Sequence, residues 1–333
     1  MDLKRIFLAF IIAFVATCGA LFLLVPYLKK KKAGQEILCY VKEHESKRGT
    51  PTMGGTAFLA CSIVVSLLFL EGRKNLALLA LAVYFAYGAT GFLDDFIKLR
   101  YKRNLGLRAY QKIILQLGIA LILAWFCYEN ALLDGNLVLP FSKGQVNIGA
   151  WIIPVIVFVF LAASNGVNLT DGLDGLATST CIVYLSTCVL FLCLLAIQAE
   201  ESGRIIIFEE YGNMAIVCSC AVGALMGFLL FNCFPAKIFM GDTGSLALGA
   251  LCGGVLILSK LTLLVPFLGV MFVVSCVSVI LQVASFKIRK KRILLKAPYH
   301  HHLQLKGVSE TRIGVIYSTI TAIVALICFV CWF

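Results

Sequence analysis

Apolar runs of about 15 to 25 residues recur along the whole chain, each close to the ~20 residues that carry a helix across a ~30 Å hydrocarbon layer. Ten are read: Ile6 to Val25, Met53 to Leu70, Leu76 to Leu93, Ala109 to Tyr128, Ala150 to Ser164, Leu176 to Ile197, Asn213 to Leu230, Ser245 to Ser259, Val265 to Ile288 and Gly314 to Trp332. The expectation is an all-α polytopic integral membrane protein with about ten transmembrane helices. Composition agrees, with 61% hydrophobic and only 14% charged residues, against about 25% charged in soluble domains. The hydrophilic stretches are too short to fold separately, so residues 1–333 are read as one membrane-embedded domain.

Lys4 and Arg5 before the first run, and Val15-Ala16-Thr17-Cys18 within it, loosely resemble a secretory leader. The run is long for such a core, and Lys29 to Lys32 follow it as a cytoplasmic anchor would. The 14 cysteines are scattered, mostly within apolar segments, and read as small buried hydrophobes instead of a disulfide or zinc framework. The Cys328 and Cys331 pair, inside an apolar helix, reads the same way.

Charge sets the orientation. The loops after runs one, three, five, seven and nine, counting Lys287 with the last, hold 21 of the 29 Lys and Arg. By the positive-inside rule that face is cytoplasmic and both termini are extracytoplasmic. The net charge of +12 follows from this topology and from contact with anionic lipid headgroups, so no nucleic acid partner is implied. Of seven aspartates, Asp94, Asp95, Asp171, Asp174 and Asp242 lie at span ends on that same face. A charge at membrane depth costs about 2.5 to 3.5 kcal/mol at a helix centre, which makes a shared functional site the expectation.

Five loops on this face carry motifs. Lys47-Arg48-Gly49-Thr50-Pro51-Thr52-Met53-Gly54-Gly55 reads as a helix start, with Thr50 and Pro51 as cap and first turn, and its glycines allow close approach of a phosphate or a neighbouring helix. Asp94 and Lys98 share a helix face at i,i+4, whereas the adjacent Asp95 points about 100° away and is expected to do a different job. Asn165 to Leu176 is dense in turn and cap residues. Its Asp171 and Asp174 could present two carboxylates to one ligand, and Asn168 an amide to a nucleotide; the spacing is not that of an EF-hand. Asp242 precedes the apolar run of span eight, where helix amides favour anions and a carboxylate-bound Mg²⁺ would bring a pyrophosphate. Asp242-Thr243-Gly244 is also the aspartic protease tripeptide, but no second copy occurs. Finally, His300, His301 and His302 are consecutive, a spacing that cannot place all three on one metal and suits contact with phosphate oxygens.

Together these loops resemble the polyprenyl-phosphate N-acetylhexosamine-1-phosphate transferase superfamily over nearly the whole chain. The histidine loop and the Gly49 to Gly55 segment resemble its phospho-N-acetylmuramoyl-pentapeptide-transferase branch. The resemblance implies transfer of phospho-N-acetylmuramoyl-pentapeptide from UDP to undecaprenyl phosphate, with Mg²⁺ as cofactor, giving lipid I and UMP in the first membrane step of peptidoglycan synthesis. It also implies a bacterial inner-membrane location, a homodimer, and a lipid-facing groove beside a bent ninth helix, here Val265 to Ile288. By resemblance, Asp242 matches the metal ligand. Asp94, Asp95, Asp242 and His300 match catalytic positions. Lys47, Thr52, Lys98, Lys112, Asn168, Asp171, Asp174, Asn232, Phe239, His301 and His302 match substrate-binding positions. One departure is Leu303 and Gln304, where relatives often carry an aromatic and an acid.

Asp94 is expected either to deprotonate the lipid phosphate or to attack the sugar phosphate itself. A sibling transferase using UDP-N-acetylglucosamine would share the aspartates but, by resemblance, not the histidine loop. A transporter would gather its polar residues near the midplane and often show inverted repeats, neither of which is seen.

Overall fold

The computed structural model describes residues 2–30, 49–101, 106–130, 135–142 and 144–333. The helices are α1 (Leu3–Lys30), α2 (Gly55–Phe69), α3 (Asn75–Tyr101), α4 (Ala109–Glu129), α5 (Ile152–Thr170), α6 (Leu176–Glu201), α7 (Ile205–Asn232), α8 (Gly241–Leu258), α9 (Val265–Leu268), α10 (Val270–Arg289), α11 (Tyr299–Leu305) and α12 (Glu310–Trp332). Between α4 and α5 a small antiparallel hairpin pairs β1 (Asn136–Val138) with β2 (Gln145–Asn147). Among the described residues, nine helices are long and apolar enough to cross a membrane, so the all-α polytopic fold expected from the sequence is what forms.

Two expected spans differ in form. The run Met53 to Leu70 yields only the 15-residue α2, which at 1.5 Å per residue spans about 22 Å. Its start is delayed because Met53 adopts a left-handed φ of 71° and Gly54 N donates to Phe239 O at 2.9 Å. Gly55 N likewise donates to Met240 O at 2.9 Å, and Phe239 N to Pro51 O at 2.8 Å. Thr50 and Pro51 therefore do not begin a helix, contrary to the sequence expectation. Pro51, Gly54 and Gly55 instead pair with the segment leading into α8, which satisfies backbone that lipid could not. The run Val265 to Ile288 is divided at Gly269 into α9 and α10.

At the centre stand α7 and α8, the most buried of the spans. Small residues let α8 lie close to its neighbours; a Cβ on Gly249 would collide with the α5 backbone at Ala163 and Ser164. Buried tyrosines find acceptors for their hydroxyls, Tyr87 on Gln116 O and Tyr184 on Cys252 O, each at 3.0 Å. The cysteines among the described residues are free, most of them buried or partly buried and Cys233 and Cys331 exposed.

Helix ends are tied by side chains from other helices. At the end of the bundle near the hairpin, Glu210 of α7 accepts bonds from Asn75 N (3.1 Å) and Leu76 N (2.8 Å), the first two residues of α3. At the opposite end, the last turns of α3 and α5 meet the first turns of α4 and α8, and the acidic residues gather there.

Candidate active site

Gly91 lets this end close. A Cβ there would strike the backbone of Asp242 and Thr243, so α3 reaches α8 only because position 91 has none. Asp94, Asp95 and Asp242 are thereby brought together, each offering a carboxylate oxygen within 4.8 Å of the others. Asp94 and Asp95 face different neighbours.

Asp94 Oδ1 accepts the amide of Leu107 at 2.8 Å, and Oδ2 faces Lys98 Nζ at 2.6 Å and Lys112 Nζ at 3.4 Å. The i,i+4 pairing of Asp94 and Lys98 is as expected. Both ammonium groups also lie 2.8 Å from Asp242 Oδ2. Three carboxylates against two ammonium groups leave one net negative charge. A divalent cation would reverse its sign and suit the centre to a pyrophosphate. The oxygen-only donor set is that of a hard cation, so the residues present fit a metal ion. Asp95, by contrast, turns its oxygens to α8: Oδ1 to Asp242 N (3.2 Å), Oδ2 to Thr243 N (2.9 Å) and Thr243 Oγ1 (2.7 Å).

Asn168, read from sequence as a nucleotide contact, lies in this centre. Its Nδ2 donates to Asp242 Oδ1 at 2.6 Å and to Ser245 Oγ at 2.8 Å, so the amide orients the carboxylate. Thr52 is buried beside Gly241. Asp171, one residue past α5, has its carboxyl pushed up to about 8, by burial first and then by Asp242, Asp95 and Asp174. Asp174 Oδ2 accepts Ala236 N at 2.9 Å, which ties it to the turn after α7. Asn232 is likewise occupied, accepting from Thr178 Oγ1 at 2.7 Å and donating to Ile238 O at 3.0 Å. The ring of Phe239 in this turn is partly exposed and open to stacking.

The histidines separate. His300 is fully buried against Gly172 and the Tyr317 ring, with centroids 6.3 Å apart, and burial, His301 and Lys296 lower its imidazole to about 3. Among the described residues neither of its ring nitrogens has a hydrogen-bond partner, so its surroundings differ from those of the two histidines that follow. His301 and His302 keep partial exposure; His301 Nδ1 meets Gln304 Oε1 at 3.2 Å and His302 Nδ1 accepts Leu295 N at 3.2 Å. Gln304, the departure noted in the sequence, thus supports a histidine. Lys47 lies outside the described residues.

Thr243, Ser245 and Gln116 were not singled out from sequence. The first two lie within three residues of Asp242 and could have been read as its supports. Gln116 Oε1 accepts Asn165 Nδ2 at 2.7 Å, a tie between α4 and α5 with no local signature.

Residues 76–260 match the family described as Glycosyl transferase family 4, and residues 47–59 match the phospho-N-acetylmuramoyl-pentapeptide-transferase signature 1. The chain is 41% identical over 320 residues to a phospho-N-acetylmuramoyl-pentapeptide-transferase of Clostridium novyi (strain NT), covering 96% of this chain and 94% of that protein. It is 40% identical over 326 residues to the protein of that name from Clostridium perfringens (strain 13 / Type A), covering 98% of each. To that of Thermoanaerobacter sp. (strain X514) it is 38% identical over 328 residues, again covering 98% of each.

Proposed function

The chain belongs to the phospho-N-acetylmuramoyl-pentapeptide-transferase family, and we propose that it performs that transfer at the Asp94, Asp95 and Asp242 centre, moving the group from UDP to undecaprenyl phosphate. Lipid I and UMP are the products. It is a multi-pass protein of the bacterial cytoplasmic membrane, with the centre on the cytoplasmic face, where the soluble donor is.

The observation that carries the reading is the contact of Lys98 and Lys112 with Asp242 and Asp94. Phosphoryl transfer needs alignment and charge neutralisation more than covalent help. The two ammonium groups turn to the donor's pyrophosphate when it binds and follow the charge that develops on the departing UMP. Mg²⁺ would be held by Asp242, and when bound it would supply further neutralisation of the pyrophosphate. Asp94 is 1% exposed and engaged on both oxygens. That suits accepting a proton from the acceptor phosphate, whose own oxygen then attacks, better than direct attack of Asp94 on a bulky phosphorus. Phe239 stacks on the uracil, while His301 and His302 bind the donor's phosphate or sugar. Thr52, Asp171, Asp174 and Asn232 shape the walls of this cleft.

The acceptor's chain lies along α10. A groove of about 470 Å³ there has apolar walls at Val279, Val283 and Phe286 and a cationic rim of Lys287, Arg292 and Lys296, as an amphiphile with an anionic head requires.

Purified protein in detergent should release UMP only when the muramoyl-pentapeptide donor, undecaprenyl phosphate and Mg²⁺ are all present. EDTA or Asp242→Ala should stop it. Release from UDP-N-acetylglucosamine in place of that donor would replace the assignment, and failure of folded protein with either donor would end it.

A further inference from the structure

We propose that Asp95 is a positioning residue: it caps the amino end of α8 from outside that helix, and through the cap it fixes the Asp242 carboxylate. The first amides of a helix have no intrahelical acceptor. In α8 the cap position is Met240, whose side chain makes no capping bond. Asp95 supplies what is missing, since Asp242 and Thr243 are the second and third residues of α8 and theirs are the amides a capping side chain engages. The Thr243 hydroxyl adds the third bond, at 2.7 Å.

Asp95 is 3% exposed, and Lys98 Nζ approaches it no closer than 3.9 Å. Asp94 is the opposite case, with its Oδ2 facing the two ammonium groups. Gly241 completes the fit: it holds a φ of +76°, and a Cβ there would stand 2.6 Å from Asp95 Oδ2. The same device occurs where no chemistry is placed, in the Glu210 cap of α3. Thus α3 is capped from α7 at one end and caps α8 near its other. Without the Asp95 cap, the first turn of α8 frays, and Asp242 is carried away from Lys98, Lys112 and Asn168.

The inference rests on the transferase reading only in taking Asp242 as the metal carboxylate. The test measures Mn²⁺ binding to the purified full chain in detergent by electron paramagnetic resonance, alongside kcat and donor KM. Thr243→Val removes one cap bond and no carboxylate. It should weaken Mn²⁺ binding and lower kcat by about three- to thirtyfold, the range of a lost cap bond, with donor KM unchanged. Thr243→Ser should restore both. Asp95→Asn should move both readouts further in the same direction. Glu210→Gln should lower the thermal midpoint but leave Mn²⁺ binding and kcat as they were. The proposal is overturned if Thr243→Val matches the wild type in both readouts while Asp95→Asn is inactive yet binds Mn²⁺ normally. Asp95 would then act in the chemistry directly. If the wild type releases no UMP but Mn²⁺ binding follows the predicted pattern, the transferase reading falls and the cap stands.

Discussion

Asn168 donates its side-chain amide to Asp242 Oδ1 at 2.6 Å, and the same nitrogen donates to Ser245 Oγ at 2.8 Å. Asp242 is therefore held on one oxygen by a neutral donor and on the other by two ammonium groups. An aspartate at 168 would set a carboxylate against a carboxylate. Asn168→Asp should lower kcat by about 10²- to 10³-fold, the scale of losing one preorganised donor in a dry site, while Asn168→Ala should raise the Mg²⁺ concentration for half-maximal rate. UMP release across a Mg²⁺ titration separates the two effects.

Lys98 and Lys112 share Asp242 but are not equivalent, because Lys98 lies 2.6 Å from Asp94 and Lys112 3.4 Å. Replacing either by Met leaves a buried carboxylate short of one partner. Each change should lower kcat/KM by at least about tenfold, with Lys98→Met the worse, as expected for lost charge-assisted bonds of about 1.5 to 3 kcal/mol. Arginine should not rescue Lys98, since its planar fork cannot converge on Asp94 and Asp242 as a compact ammonium does. Steady-state kinetics of the three variants check this.

Much of this site was legible because membrane burial makes a carboxylate conspicuous. Asp94, Asp95 and Asp242 stand at the ends of apolar runs, and the i,i+4 spacing alone pairs Asp94 with Lys98. What could not be read was which helix each side chain serves. Asp95 caps α8, 147 residues away, and Asn168 reaches Asp242 and Ser245. Asp174 and Asn232 hold backbone in the turn after α7. These contacts depend on where α3, α5 and α8 pack, and that is set by glycines such as Gly91, whose importance lies in what a Cβ would strike. The runs likewise revealed the helices but not the break at Gly269, nor the late start of α2, which follows from backbone pairing with residues 239 and 240.

His300 and Asp171 give opposite stability slopes with pH. The His300 imidazole titrates at about 3 in the fold, below the ~6.5 of an unfolded chain. Its stabilising contribution is present above pH ~6.5 and is lost at up to about 1.4 kcal/mol per unit as pH falls toward 3. Asp171, raised to about 8, contributes stability that is full below pH ~4 and is lost as pH rises through 8. Thermal midpoints in detergent should fall on acidification less steeply in His300→Asn, and on alkalinisation less steeply in Asp171→Asn. Unchanged slopes would place these groups in water.

Gly91→Ala tests the contact on which the whole centre depends. The added methyl meets Asp242 and Thr243 backbone, which has no rotamer with which to yield, so α3 and α8 must part. Overpacking of this kind costs about 1 to 3 kcal/mol. Here it also draws Lys98 away from Asp242, so activity should fall further than stability does. Gly118 in α4 provides the contrast, because a Cβ there meets nothing within 4 Å. Gly118→Ala should stabilise by up to about 1 kcal/mol through helix propensity, with kcat intact. Melting in detergent together with UMP release measures both. If Gly91→Ala melted early but kept its kcat, the three carboxylates would not need the close approach of α3 and α8, and the assembly of the site would have to be sought in the loops.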